Sequence, residues 1–143
     1  MSTKQELIDG LNTDLGFEYA AVITYRTYAS QIQGQTRVEL RGFFESEIPD
    51  ELNHAQILAD KIVALGGTPV TEAKPVKSAD NPKEMLQNAL QDEKDTIERY
   101  VKRRKQAEEV GEYGLAVDLD DLISDETKHR DEINMILKRW DQD

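Results

Sequence analysis

The sequence predicts an all-α protein, an antiparallel four-helix bundle in which two helical hairpins are joined by one long crossover. Three observations predict it. Apolar residues recur at three-and-four spacing through four segments of about 30 residues, as on a helix with one buried face. Glycine and proline are few, 8 and 4 among 143 residues, and gather mainly at the segment borders. No segment alternates apolar and polar residues as a half-buried strand would. With 33% charged residues the composition alone would also suit a disordered chain, and the periodicity decides against that. The length suits one domain, taken as residues 1–143.

The first helix is expected over about 3–33, with Ile8, Leu11, Leu15, Val22, Tyr25, Ala29 and Ile32 on its stripe. Thr3 followed by Glu6 reads as a capping box, and Gly34 as a stop. The second, about 36–65, carries Leu40, Phe44, Leu58 and Leu65 before Gly66 and Gly67 end it. Pro49 should remove a backbone hydrogen bond and kink this helix; alternatively the helix begins at Pro49 and residues 43–48 are irregular. The third, about 82–110, opens at Asn81-Pro82-Lys83-Glu84, a cap with proline at the first helical position. Its stripe is Leu86, Leu90, Ile97 and Tyr100. The fourth, about 113–141, shows Leu115, Leu119, Leu122, Ile133, Ile136 and Trp140. Short links at Gly34–Thr36 and Gly111–Gly114 join antiparallel neighbours. The link from Gly66 to Asp80 is long enough to run the length of the bundle, although a plain up-down bundle with a loose central loop fits the same helices.

Composition removes several function classes. There is no cysteine, hence no disulfide framework, iron–sulfur cluster or thiol nucleophile. A net charge of -11 opposes general nucleic-acid binding. No apolar run approaches the roughly 20 residues that span a bilayer, and the opening MSTKQELIDG lacks the apolar stretch of a signal peptide. A cytoplasmic protein without membrane or nucleic-acid partners is expected.

Several stripe positions hold the wrong kind of residue for a core. Glu18 stands between Leu15 and Val22; Glu47, Glu51 and His54 follow Phe44; Glu93 stands between Leu90 and Ile97; Glu126 and His129 lie between Leu122 and Ile133. A carboxylate inside a bundle is costly unless paired or coordinated. The spacings also repeat: Leu11, Leu15, Glu18, Tyr25, Asp50, Glu51 and His54 each have a like residue 75 positions on, at Leu86, Leu90, Glu93, Tyr100, Asp125, Glu126 and His129. The chain's 2 histidines both sit in Glu-x-x-His, which places glutamate and imidazole on one helix face. Two hairpins related by an approximate two-fold would each give the same ligands to one site. Glu18 and Glu93 could be terminal ligands, with Glu51 and Glu126 bridging two ions. Imidazole with carboxylate suits Fe, Mn or Zn.

With these residues the chain resembles the bacterioferritin-type members of the ferritin-like di-iron carboxylate superfamily over nearly its whole length. The resemblance implies a dinuclear site of Glu18, Glu51, His54, Glu93, Glu126 and His129 holding two Fe per chain, with Mn or mixed Fe/Mn as alternatives. It implies oxidation of Fe(II) by O2 or H2O2, for iron storage and for peroxide and iron detoxification. Tyr25 matches the tyrosine beside the site, and Glu47 and Asp50 match acidic residues on its inner, iron-passing side. The bacterioferritin methionine that binds haem is replaced by Leu52, so haem is not expected. Ser46 replaces the family's inner-surface histidine, and the fifth helix of large cages is missing. A homo-oligomer, a shell of about 12 subunits in preference to a dimer, is expected. The alternative is a small dimeric, erythrin-like di-metal oxidase or peroxide scavenger that stores no mineral. A purely structural bundle with solvated glutamate pairs is the reading that excludes metal altogether.

The remaining features receive simpler expectations. Tyr100 is read as a core aromatic, and Trp140 as a plug at the bundle end or a subunit contact. The basic run Lys102-Arg103-Arg104-Lys105 is read as a solvated helix face.

Overall fold

Thr3 opens the first helix by the predicted reciprocal cap: its hydroxyl accepts from the Glu6 amide at 3.1 Å, and the Glu6 carboxylate accepts from the Thr3 amide at 3.3 Å. In this computed structural model, which describes residues 1–141, α1 spans Lys4–Gln31 and α2 spans Arg37–Ala64. Asn81 caps α3, Pro82–Val110, by accepting from the Glu84 amide at 2.9 Å, with Pro82 as the first helical residue. Gly111 adopts φ 88, a left-handed conformation that glycine takes at low cost, and turns the chain into α4, Tyr113–Leu137. There are no strands among the described residues.

The helix order is fixed by contacts made far apart in sequence. Asp14 meets Arg103, Glu18 meets Tyr100, and Tyr25 meets Glu93, so α1 and α3 run antiparallel. His54 meets Asp125 and His129 meets Asp50, so α2 and α4 are antiparallel as well. That arrangement makes α2 parallel to α3, which a short turn cannot achieve. The segment 66–80 is therefore a true crossover. It lies along α1: the Lys74 amide donates to the Gly16 carbonyl at 3.0 Å, Asn12 clasps the backbone at Thr68 and Val70, and the Tyr28 hydroxyl donates to the Lys77 carbonyl at 2.7 Å.

Two sequence expectations need correction. α2 runs uninterrupted through Pro49, so neither the helix start at that residue nor the irregular stretch 43–48 occurs. Pro49 is exposed while Ile48 and Glu51 beside it are buried, so the missing amide falls on the outer side of a helix held by its packed face. The fourth helix ends at Leu137, short of the expected 141, and Trp140 follows in a turn, half-buried against the core. The expected ends at 33 and 65 likewise fall back to Gln31 and Ala64.

The apolar core is divided. One cluster gathers Leu7, Leu11, Leu15, Leu58, Ile62, Leu119 and Leu122; the other gathers Tyr28, Ile32, Phe44, Leu86 and Ile133. Burying each such side chain contributes about 1.5–3 kcal/mol. Between the clusters lies a waist of charged residues, and the functional question concerns that waist.

Candidate metal centre

The four helices each turn part of their inner face over to acids and imidazoles at one level. Glu18 comes from α1, Glu47, Glu51 and His54 from α2, Glu93 from α3, and Glu126 and His129 from α4, and all are buried. Ligand-type atoms of Glu18, Glu51, His54 and Glu126 lie within 4.8 Å of one another, and so do those of Glu51, Glu93, Glu126 and His129. The two groups share Glu51 and Glu126. This is the geometry of two adjacent positions with two common carboxylates, in which each helix of one hairpin has its counterpart 75 residues later.

The imidazoles are oriented alike. His54 turns Nδ1 inward, 3.0 Å from Glu126 and 3.7 Å from Glu18, while its Nε2 lies 3.0 Å from Asp125. His129 turns Nδ1 toward Glu51 at 3.3 Å and Glu93 at 3.7 Å, with Nε2 at 3.0 Å from Asp50. A carboxylate on the outer nitrogen fixes ring orientation and leaves the inner nitrogen as a donor. The tyrosines are also paired. The Tyr25 hydroxyl donates to Glu93 at 2.5 Å, and the Tyr100 hydroxyl donates to Glu18.

The electrostatics are those of buried acids and imidazoles held close together. Burial, followed by the charges of Glu18 and Glu126, raises the Glu51 carboxyl well above its usual range; burial and Glu93 do the same to Glu126. Burial pulls the histidines down, but their carboxylate neighbours outweigh it and push His54 up to about 11 and His129 up to about 12. Burial also opposes ionisation of Glu93, yet the nearby Glu126 and His129, followed by the Tyr25 hydroxyl, bring that carboxyl below its ordinary value. Burial and the adjacent Glu93 and Glu18 charges raise the Tyr25 and Tyr100 hydroxyls well above 10.0. Seven buried atoms here make no well-aligned hydrogen bond: Glu18 Oε2, Glu47 Oε2, Glu51 Oε1, His54 Nδ1, Glu93 Oε2, Glu126 Oε1 and His129 Nδ1; those of Glu47, Glu51, Glu126 and the two histidines only face one another as acid–imidazole pairs at 2.8–3.3 Å. Buried acid and imidazole atoms gathered this way at one place fit the donor set of two divalent ions.

The two halves are not identical. Glu47 sits buried 2.8 Å from His129 Nε2 and forms a third group with Asp50, whereas the position 75 residues on is the apolar Leu122. Asp14 is buried in α1 and takes a two-pronged contact from Arg103, at 2.7 and 3.2 Å; the corresponding positions in the other half are Ala89 and Tyr28. A cavity of about 420 Å³ opens on the α1/α3 side and reaches Glu18, Glu51, Glu93 and Glu126.

A family model for the ferritin-like domain matches residues 8–142. The chain belongs to the ferritin-like domain family. A crystal structure of ferritin-like, diiron-carboxylate proteins from Bacillus anthracis str. Ames is 48% identical, with a TM-score of 0.93 over 96% of this chain and 100% of that one. Bacterioferritin of Brucella melitensis is 27% identical over 92% of this chain and 82% of its own length. The Dps protein of Vibrio cholerae O1 is 23% identical with a TM-score of 0.88 over 94% of this chain and 91% of that one, a likeness of fold.

All eight sequence-predicted acids and histidines lie at this ferritin-like centre, with Asp50 alone exposed among them. The tyrosine expectation changes: Tyr100 packs in the core, as expected, but its hydroxyl reaches Glu18 as Tyr25 reaches Glu93. The 75-residue repeat already paired these tyrosines, and that signal could have found the second role. Asp125, also in the repeat, holds His54. The basic run is not a solvated face throughout: Arg103 is buried against Asp14, and Arg104 bonds Asp120 at 2.9 Å. Nothing in the spacing marks Asp14 and Arg103 as partners. No described helix is long and apolar enough to cross a membrane.

Proposed function

We propose that this protein is a di-iron ferroxidase, taking up Fe(II) as substrate and oxidising it with O2 or H2O2, for iron storage and for peroxide and iron detoxification. The observation that carries the reading is the doubled ligand set, two overlapping groups of buried carboxylate and imidazole atoms sharing Glu51 and Glu126. Glu18 and His54 hold one ion, Glu93 and His129 the other, and Glu51 and Glu126 serve both. Iron supplies one electron per ion to the oxidant. Four carboxylates would balance two divalent charges, which offsets the burial penalty of the charged waist. Mn or a mixed Fe/Mn pair suits the same donors.

The chain's own groups have distinct tasks. Asp50 and Asp125 orient the imidazoles. Tyr25 and Tyr100 hold protons against Glu93 and Glu18, and their raised hydroxyls stay protonated at neutral pH. Glu47 and Asp50 lie on the α2/α4 side, where they serve a passing cation. Relatives described as bacterioferritin support the storage role. Exposed Leu52, Val63, Val117 and Met135 supply apolar surface for a homo-oligomer, with a shell of about 12 subunits as the assembly proposed, in the cytoplasm and without haem.

A specific observation favours a second reading. Glu47 adds a further buried carboxylate within reach of His129, which suits a small dimeric, erythrin-like di-metal oxidase or peroxide scavenger without mineral. Anaerobic Fe(II) titration of a size-resolved sample tests both. Saturation near two Fe per chain, lost in Glu18→Ala, supports the centre; no saturation and no effect of that substitution would return the glutamates to a structural role. A shell that accumulates iron after oxidation supports storage, and a dimer that does not supports the second reading.

A further inference from the structure

The centre is approached through more space than a diatomic oxidant needs. The cavity between α1 and α3 holds about 420 Å³, whereas one water occupies roughly 30 Å³ in the liquid and pockets for organic ligands begin near 300 Å³. Its inner end is formed by the four carboxylates and Tyr25. Elsewhere the space between helices is filled by leucine, isoleucine and phenylalanine, but here the lining turns to Ala20, Ala21, Thr24, Ala89 and Thr96, whose short side chains leave the gap open. Phe17 and Pro75 add apolar surface farther out.

The charges restrict the kind of molecule that fits. Lys77, on the lining, is paired with Asp92 at 2.8 Å. Arg99 lies 3.6 Å above the Phe17 ring and donates to the Thr96 hydroxyl at 2.8 Å. Lys102, at the exposed rim, is the third cation of a lining that also carries Glu18, Glu51, Asp92, Glu93, Asp95, Glu98 and Glu126, so the acids outnumber the cations and an organic anion finds little to bind it. A neutral molecule with an apolar body and a small polar end matches the lining.

We propose that the cavity admits neutral organic hydroperoxides as oxidants of iron at the centre, an inference that rests on the ferroxidase reading and names a further substrate class for it. The reaction balances: the O–O bond of ROOH breaks, two Fe(II) each give one electron and become Fe(III), and two protons from solvent complete ROH and H2O. The apolar R group remains among the alanines while the O–O group reaches the carboxylates.

The test uses the whole protein loaded anaerobically with Fe(II), then mixed with H2O2 or cumene hydroperoxide, with Fe(III) and 2-phenyl-2-propanol both measured. One alcohol per two Fe(III) is expected. Ala21→Leu, or Thr96→Leu if the first does not fold, narrows the cavity without touching the carboxylates, and should slow cumene hydroperoxide about tenfold or more while leaving H2O2 within about twofold. Equal slowing of both oxidants, or of neither, overturns the proposal. Independently of turnover, 2-phenyl-2-propanol should shift the amide resonances of Ala20, Ala21 and Thr24 in the metal-free protein, and not in Ala21→Leu. Unshifted resonances count against the cavity as its site. If H2O2 oxidises the bound iron and cumene hydroperoxide does not, this inference alone fails. If no oxidant acts on bound iron, the ferroxidase reading fails with it.

Discussion

Tyr100 on α3 donates its hydroxyl hydrogen to Glu18 on α1, and Tyr25 and Glu93 make the same contact with the helices exchanged. In each pair the other carboxylate oxygen, Oε2, lacks a hydrogen-bond partner, so the tyrosine holds one oxygen while the second remains for an ion. Tyr100→Phe keeps the ring in the core and removes only that hold. Affinity at the Glu18 position should fall about 10- to 100-fold, measured by Mn(II) or Zn(II) competition against a chelating dye. Tyr25→Phe should weaken the Glu93 position instead. Unchanged affinity in both variants would reduce the tyrosines to packing.

The protonation of the waist sets the pH response of the metal-free protein. Glu51 and Glu126 are raised above 4.5, so the folded state keeps protons that the unfolded state loses, and stability falls as pH rises through their range. His54 and His129 act in the same direction: their contribution is complete below 6.5 and disappears as pH rises through about 11 and 12. The lowered Glu93 acts oppositely, its contribution being lost as pH falls below 4.5. Denaturant unfolding of the metal-free protein should therefore show greater stability at mildly acidic than at alkaline pH. Metal uptake at neutral pH should release protons, two or more per ion pair, because both imidazolium rings must deprotonate to coordinate. Uptake without proton release in weakly buffered solution would contradict this charge state.

Asp14 and Arg103 provide a second buried pair, and Arg103 lies directly over Gly10, where an added Cβ would collide with the guanidinium. Burial raises the Asp14 carboxyl despite Arg103, so the pair does not fully recover its desolvation cost. Asp14→Ala, which strands the arginine, should cost about 3–5 kcal/mol, whereas Asp14→Leu with Arg103→Met should recover most of that. Gly10→Ala should cost about 1–3 kcal/mol alone and much less beside Arg103→Met. Denaturant unfolding of these variants together with Arg103→Met alone closes the Gly10–Arg103 cycle, and strict additivity would argue against that contact.

Glu47 distinguishes the halves electrostatically. Glu47→Leu places the residue type of Leu122 in both, removing one carboxylate beside His129. Metal affinity at the Glu93/His129 position should fall about tenfold, and a stepwise titration should bring its two binding events closer together. If their separation is unaltered, the inequivalence has another source.

These relationships were unequally visible in the sequence. Helix periodicity, the Thr3–Glu6 box and the Asn81-Pro82 cap depend on neighbours in the chain, and they marked out the helices, whereas the crossover is decided by contacts far apart in sequence. The six-residue set was visible because duplication repeats it at constant distance. Asp14 and Arg103 stand 89 residues apart and have no counterpart in the other half, so neither spacing nor repetition could pair them. Tyr100 was visible as an apolar position on a stripe, but its hydroxyl partner belongs to another helix. Pro49 lacks the backbone amide, as the local rule requires, but it does not begin the helix, because the packed face of α2 carries the helix through it.

The charged waist has a consequence for how the molecule comes apart. Its two apolar clusters are separated by a layer of buried acids and imidazoles, which bound cations would draw together. Without them, the central turns of all four helices should exchange amide hydrogens ahead of the clusters on either side, as two partly independent cooperative units. An ion pair shared by Glu51 and Glu126 would fasten those units into one. Metal loading would thus also change folding cooperativity, because ions held between the clusters would couple the two halves of the core.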